Sequence, residues 1–208
     1  MLLKGALSAG RVGTRSYSTT TKVTTSIYVN SRTTTLAVKP VPPVFQEKNG
    51  WWNMKRKGSI ILDFATQADK SVPTFNDWAK KLSFGLAPME IGKLATTPPG
   101  EVMEFVHTFS SGVGDRMDEK ILRVAANSDG EGVTFTIVYN PADGESREMS
   151  VPVRDSEFFV LKNLLYSSIP QLCGWNYSLG ATPFDPSAVR VEQDTFRGSS
   201  EFPAGGQR

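Results

Sequence analysis

Apolar and polar residues alternate with a period of two through much of the chain. In Gly58–Thr66, Ile60, Leu62 and Phe64 alternate with Ser59, Ile61, Asp63 and Ala65, the pattern of a half-buried strand. Leu82, Phe84 and Leu86 alternate with Lys81, Ser83 and Gly85 within a run read as strand from Trp78 to Leu86. Upstream, Ser26–Val29 and Thr33–Val38 are β-branched or aromatic runs separated by Asn30-Ser31-Arg32, which predicts a hairpin. Lys39-Pro40-Val41-Pro42-Pro43 is expected to end that pairing, because proline cannot donate to a ladder. Trp51–Lys57 is a further strand candidate. Downstream, strand signals cover Val102–Phe109, Lys120–Ala126, Val133–Tyr139 and Glu148–Val153, with Asp129-Gly130 and Asp143-Gly144 as turn dipeptides.

Two segments follow helical spacing instead. Ala87–Ala95 has Pro88 for the first turn, Glu90 to complement the helix N-terminus, and apolar Met89, Ile91 and Leu94. Asp155 is expected to cap a longer helix in which Phe158, Leu161, Leu164, Leu165, Ser168 and Leu172 recur, kinked by Pro170 and ended by Gly174. Strands in separate runs, interrupted by a short helix and followed by a long one, predict an α+β, mostly β domain of antiparallel sheets. Residues 176–208, rich in Pro, Gly and Ser and without periodicity, read as a disordered tail.

Composition narrows the chemistry. The 208 residues, 39% of them apolar, suit one principal domain with polar extensions. A single cysteine, Cys173, excludes an intrachain disulfide framework, and a single histidine, His107, removes most metal and acid–base constellations. Both read as packed groups. Gly112-Val113-Gly114 lacks the third glycine of a dinucleotide loop. An enzyme would have to rely on carboxylates such as Asp63 and Glu90, which no paired motif marks. The chain therefore reads as a non-enzyme with no cofactor, metal or small-molecule substrate, and no apolar run approaches the ~18 residues of a membrane span.

Residues 1–46 contain six basic residues and no acid before Glu47, with serine and threonine crowding positions 16–26. That is transit-peptide composition, and Arg15-Ser16-Tyr17-Ser18 suits processing after Tyr17 in the mitochondrial matrix. The expected organisation is a transit peptide over 1–17, a linker over 18–23, a domain over 24–175 and the tail over 176–208. Cleavage would leave 20 basic against 21 acidic residues. The charge is unevenly spread: residues 23–100 hold 10 basic and 5 acidic groups, residues 101–175 hold 6 and 12. This asymmetry suits either one electropositive face or attraction of the two halves for each other within or between subunits.

The stretch from Trp51 to Leu86 supplies candidate chemistry. Trp51-Trp52 precede Lys55-Arg56-Lys57, and Trp78 precedes Lys80-Lys81. Cations that hold phosphate beside rings that face unpaired bases are what a single-stranded nucleic acid requires. The same residues also suit a solvated basic edge that blocks aggregation, with the tryptophans at the rim of a core. No more than one of the three tryptophans is expected to touch a base. Tyr28, beside the hairpin, is a comparable candidate.

Several stretches resemble the Whirly family of single-stranded DNA-binding proteins, whose fold the kinetoplastid mitochondrial guide-RNA-binding proteins share. They are Ser26-Ile27-Tyr28, Leu36–Pro40, Gly58–Ala65, Asp77–Lys81, Met89–Gly92, Glu104–His107, Val151-Pro152-Val153 into Glu157-Phe158, and Gly174-Trp175. The resemblance covers about residues 24–175. It implies two four-stranded antiparallel sheets packed crosswise with two helices (ββββαββββα), with Trp51–Leu86 supplying strands of the first blade. Phe158, Leu161, Leu165 and Leu172 of the long helix read most simply as core, and the resemblance further implies a homotetramer in which that helix also meets its counterparts through them. The ligand would be single-stranded DNA or RNA, bound largely without sequence code by Tyr28, Arg32, Trp52, Lys55, Arg56, Lys57, Trp78, Lys80 and Lys81. Plant members carry a lysine-glycine-lysine-alanine-alanine-leucine-serine motif in the second strand; Ser31–Ala37 stands there instead and retains only Arg32 as a cation. The implied role is DNA maintenance, transcription or strand annealing. The alternatives are an RNA-binding or annealing factor in mitochondrial RNA processing and a scaffold that binds only protein.

Overall fold

The computed structural model describes residues 25–68, 76–98, 100–110, 117–180 and 190–191. The expected transit segment 1–17, the linker 18–23 and most of the expected tail lie outside these residues. In chain order the first strands are β1 (Ile27–Asn30), β2 (Thr34–Val41), β3 (Val44–Lys48), β4 (Trp51–Arg56), β5 (Ser59–Thr66) and β6 (Leu82–Leu86). Helix α1 (Pro88–Thr96) leads to β7 (Met103–Ser110), β8 (Met117–Ala126), β9 (Val133–Asn140) and β10 (Arg147–Val153). Helices α2 (Asp155–Leu172) and α3 (Trp175–Leu179) follow, then a two-residue strand, β11 (Arg190–Val191).

Two four-stranded antiparallel sheets result, ordered β1-β2-β5-β6 and β10-β9-β8-β7. Directly opposed residues on antiparallel strands share a face, so the register sorts the side chains. In the first sheet Val29, Leu36, Phe64 and Leu82 form one inward row, and Ile27, Val38, Leu62 and Phe84 the next. In the second sheet the inward rows are Met103–Val124–Phe135–Val151 and Phe105–Leu122–Ile137–Met149. These rows form one core, joined by Ile91 and Leu94 of α1 and Leu161, Leu165 and Leu172 of α2. Each such side chain contributes about 1.5–3 kcal/mol on burial. Strand β10 meets β1, β2 and β5 in turn, as a strand does when its sheet crosses another.

The long polar–proline stretch departs from the expectation. Pairing does not stop at Lys39: β2 continues to Val41, with Pro40 opposite Ile60. Proline is tolerated because β1 has already ended opposite Val38, leaving β2 an edge on that side. Strand β3, absent from the sequence reading, then pairs with β4 across a two-residue Asn49-Gly50 loop in which both residues have positive φ, 55° and 77°. That is a type I′ turn, whose twist suits a hairpin. Because β3, β4 and β11 form a separate three-stranded sheet, β4 is not a strand of the blade.

The other differences are local. Trp78 lies on a single 3₁₀ turn, Trp78–Lys80, and strand begins only at Leu82. Asp155 is the first helical residue of α2 rather than its cap, and the Arg154 N–H donates to Glu157 Oε2 at 3.0 Å. Helix α2 runs through Pro170 to Leu172, and Gly174 leaves it at φ 72°. Within the expected tail, α3 occupies residues up to Leu179 and packs Tyr177 edge-to-face on Phe45, centroids 5.1 Å apart. Gly58 marks a close approach: its N–H donates to Leu172 O at 2.8 Å, and a Cβ there would lie 2.7 Å from Val41 O.

Leu161, Leu165 and Leu172, expected at a subunit interface, are buried in the protomer's own core. Phe158 is half-buried against Phe135, centroids 6.1 Å apart. The apolar residues that α2 exposes are instead Phe159, Val160, Leu164 and Tyr166.

Candidate nucleic-acid interface

The outward face of the first sheet is also a set of rows. Tyr28, Ala37, Asp63 and Ser83 lie directly opposite one another on β1, β2, β5 and β6. Lys39 lies opposite Ile61 in the neighbouring row. A carboxylate in the middle of a central strand needs strong partners, and Asp63, 1% exposed, has three. Lys39 Nζ and Lys81 Nζ each donate to its Oδ2 at 2.8 Å, and Ser83 Oγ donates to its Oδ1. Burial alone would push the Asp63 carboxyl up, but the hydrogen bonds from Lys39, Lys81 and Ser83 outweigh it and hold the group below the ordinary carboxylate value. Two ammonium groups share one carboxylate, so the cluster keeps a net positive charge.

Trp78 sits over this cluster. Lys39 Nζ lies 5.5 Å from the centre of its ring, and Tyr28 meets it edge-on with centroids 6.1 Å apart. The turn that carries Trp78 is held by Asp77, whose Oδ1 accepts from the N–H groups of Ala79 at 3.1 Å and Lys80 at 3.3 Å. Tyr28 remains 53% exposed beside it. The result is an aromatic pair with fixed cations at the outer surface of the sheet. Such an arrangement can hold phosphate and offer a ring face to an unpaired base.

The predicted residues divide into two groups. Tyr28, Trp78, Lys80 and Lys81 come together at this edge, with Lys80 Nζ also 3.3 Å from Asp77 Oδ2. Arg32 is exposed in the β1–β2 turn of the same sheet. Trp52, Lys55 and Arg56 lie instead on β4 of the separate hairpin, and Lys57 follows it, exposed. Trp51, 77% exposed, is the most solvated of the tryptophans there, and Trp52 is half-buried. Asp63 and Glu90, the carboxylates an enzyme reading would use, are both structurally engaged. Glu90 Oε2 accepts from the Ala87 N–H at 2.8 Å, and its Oε1 pairs with His107 Nε2 at 2.7 Å. His107 in turn stacks on Phe84, centroids 4.2 Å apart.

Sequence reading missed Lys39 and Asp63 as members of the cluster. The signal was present: Asp63 lies between Leu62 and Phe64 in an otherwise apolar strand, and an ion there demands cations on the flanking strands. Which cations is a matter of register, and the prolines after Lys39 point to an end of pairing there rather than to a place beside Asp63.

Comparison with known proteins supplies the context. A family profile described as "Whirly transcription factor" matches residues 27–164. The chain is 30% identical over 171 residues to the chloroplastic single-stranded DNA-binding protein WHY1 of Arabidopsis thaliana, covering 80% of this chain and 64% of that protein. It is 31% identical over 150 residues to the mitochondrial single-stranded DNA-binding protein WHY2 of Arabidopsis thaliana, covering 70% and 61%. It thus spans less than two thirds of the length of these relatives. Among solved structures, that of Arabidopsis thaliana WHY1 superposes with a TM-score of 0.69 at 28% identity, covering 76% of this chain and 90% of the other. The plant transcriptional regulator PBF-2 gives 0.69 at 28% identity, covering 79% and 90%. The match spans both sheets, both sequence halves and the start of the long helix: this chain belongs to the Whirly family.

Proposed function

We propose that the protein binds single-stranded nucleic acid, with DNA the principal ligand, largely without sequence preference and as a homotetramer in the mitochondrial matrix. The observation that carries this reading is the Trp78 edge, where Tyr28 and Trp78 present rings beside the ammonium groups of Lys39 and Lys81. Family membership and the printed names of the relatives, single-stranded DNA-binding proteins, support it. The exposed cations of the β4 hairpin, Arg56 and Lys57, extend the electrostatic attraction. The candidate carboxylates Asp63 and Glu90 are both engaged in structural contacts, which supports a role in protecting or annealing strands rather than cleaving or modifying them.

Phe159, Val160, Leu164 and Tyr166 on the outer side of α2 support association of protomers through that helix, because an apolar stripe of this kind is usually covered. The acid-free N-terminal residues and the mitochondrial relative support the location. Maturation after Tyr17 would then expose Ser18 as the new N-terminus, which mass spectrometry of the organellar protein checks.

Fluorescence anisotropy with a labelled 30-mer tests the ligand. Single strands should bind far more tightly than duplex, and affinity should fall steeply between about 50 and 200 mM salt as condensed counterions cease to drive binding. Equal affinity for duplex, or no salt dependence, refutes the reading. Crosslinking in intact mitochondria decides between DNA and RNA, since stacking and phosphate contacts do not sense the 2′-hydroxyl.

A further inference from the structure

The second sheet carries an aromatic–cationic cluster at the end of its inward face, outside the Trp78 edge. His107, Lys120, Tyr139 and Arg147 lie directly opposite one another on β7, β8, β9 and β10, one row beyond the core. Phe109, the next residue of that face on β7, has its ring parallel to Tyr139 within 5°, with centroids 6.5 Å apart. Lys120 Nζ sits over both rings, 5.2 Å from the centre of Phe109 and 5.5 Å from that of Tyr139. Tyr139 is fixed from behind: its hydroxyl donates to Asp118 Oδ2 at 2.8 Å, and Asp118 Oδ1 accepts from the Ala142 N–H at 2.8 Å. Among the described residues Lys120 makes no ion pair; its ammonium lies over the two rings, near enough to the Asp118 carboxylate to interact with it electrostatically.

The cluster is joined to the Trp78 edge. Arg147, at the end of the row, donates to the main-chain oxygen of Lys80 in the turn that carries Trp78. A neutral carbonyl leaves the guanidinium charge uncompensated. From Trp78 the surface therefore runs over Lys80 and Arg147 to Tyr139, Lys120 and Phe109, with cations between the rings. Phe109 is 38% exposed at the far end. A ring pair that only completed the core would not end in a solvated phenylalanine with a lysine laid over it. Rings interspersed with cations suit a strand that offers both bases and phosphates.

We propose that Phe109 and Tyr139, with Lys120 and Arg147, form a second base-stacking platform that takes the unpaired bases next along the strand from Trp78. The proposal rests on the single-strand reading above. It assigns to the second sheet a part of the footprint that the basic and tryptophan-rich first half does not provide.

The experiment is equilibrium binding of labelled dT30 to the full chain and to variants, with thermal melts recorded alongside. Phe109→Ala is expected to weaken binding about five-fold or more, since a base–aromatic contact contributes at least ~1 kcal/mol. Phe109→Trp, which restores a ring, should recover the affinity and show tryptophan quenching when the strand binds. Lys120→Gln, which leaves the ring pair in place, should lower the slope of log affinity against log salt by about 0.7, the value for one single-strand phosphate. The proposal is overturned if Phe109→Ala and Lys120→Gln bind as the unaltered protein does while Trp78→Ala weakens binding. Failure of the unaltered protein to bind dT30 is a separate result that overturns the functional reading and this inference with it.

Discussion

Replacing Asp63 by Asn separates what the buried carboxylate does for the fold from what it does for the ligand. The side chain keeps its shape and loses its charge at a position 1% exposed, where it accepts from Lys39, Lys81 and Ser83. Hydrogen bonds to charged groups contribute about 1.5–3 kcal/mol each. The two lysines are 30% and 39% exposed and regain water when released, so the charged pairs must be discounted toward surface values. A net loss of about 2 kcal/mol follows, or roughly 4–8 °C in melting temperature for a domain of ~150 residues. The sign with pH is set by the lowered Asp63 value. A carboxyl depressed on folding contributes stability above its unfolded value, about 3.9, and loses it as pH falls through the folded one. The gap between the two proteins should therefore be constant from about pH 5 to 8 and close below about pH 4. Binding should move the other way, because Lys39 and Lys81 no longer share their charge with a carboxylate. Asp63→Asn is expected to bind single strands more tightly, with a steeper salt dependence. Thermal melts across pH, with anisotropy on the same samples, measure both. Equal stability at neutral pH, a gap that persists in acid, or weaker binding would each refute this account of Asp63.

Further expectations follow from other contacts. Gly58→Ala would place a Cβ 2.7 Å from Val41 O and 2.8 Å from Leu172 Cδ2, so the end of α2 must shift; a loss of about 1–3 kcal/mol should appear in urea denaturation. Leu164→Glu, on the exposed side of α2, should dissociate the proposed tetramer in sedimentation velocity while the circular dichroism of the protomer is retained. Charge reversal at Lys80 and Lys81 should weaken binding to all single-stranded sequences alike, read by anisotropy on a panel of homopolymers. Loss confined to one base composition would show that these lysines do not act on the backbone.

How much of this was legible in the order of residues depends on the range of the forces involved. Alternation in Ile60-Ile61-Leu62-Asp63-Phe64 and in Leu82–Leu86, and the helical spacing from Phe158 to Leu172, are local signals. They state which face is dry, whatever the partner strand is. The Asn49-Gly50 hairpin was equally local and went unread, because the prolines before it suggested an end to pairing. The family likeness carried the crossing of the sheets, which no periodicity contains. What remained for the tertiary structure was every decision made by register. Strand register set Lys39 one row from Asp63, moved Trp51 and Trp52 off the blade with β4, and left Trp78 on a turn above Tyr28. It also aligned Lys120, Tyr139 and Arg147 from three strands, residues 19 and 8 positions apart along the chain. Sequence alone determined the apolar rows that face inward; only the paired strands determined that Asp63 would be buried and which outward residues became neighbours, because a hydrogen-bonded ladder fixes distances that chain order does not.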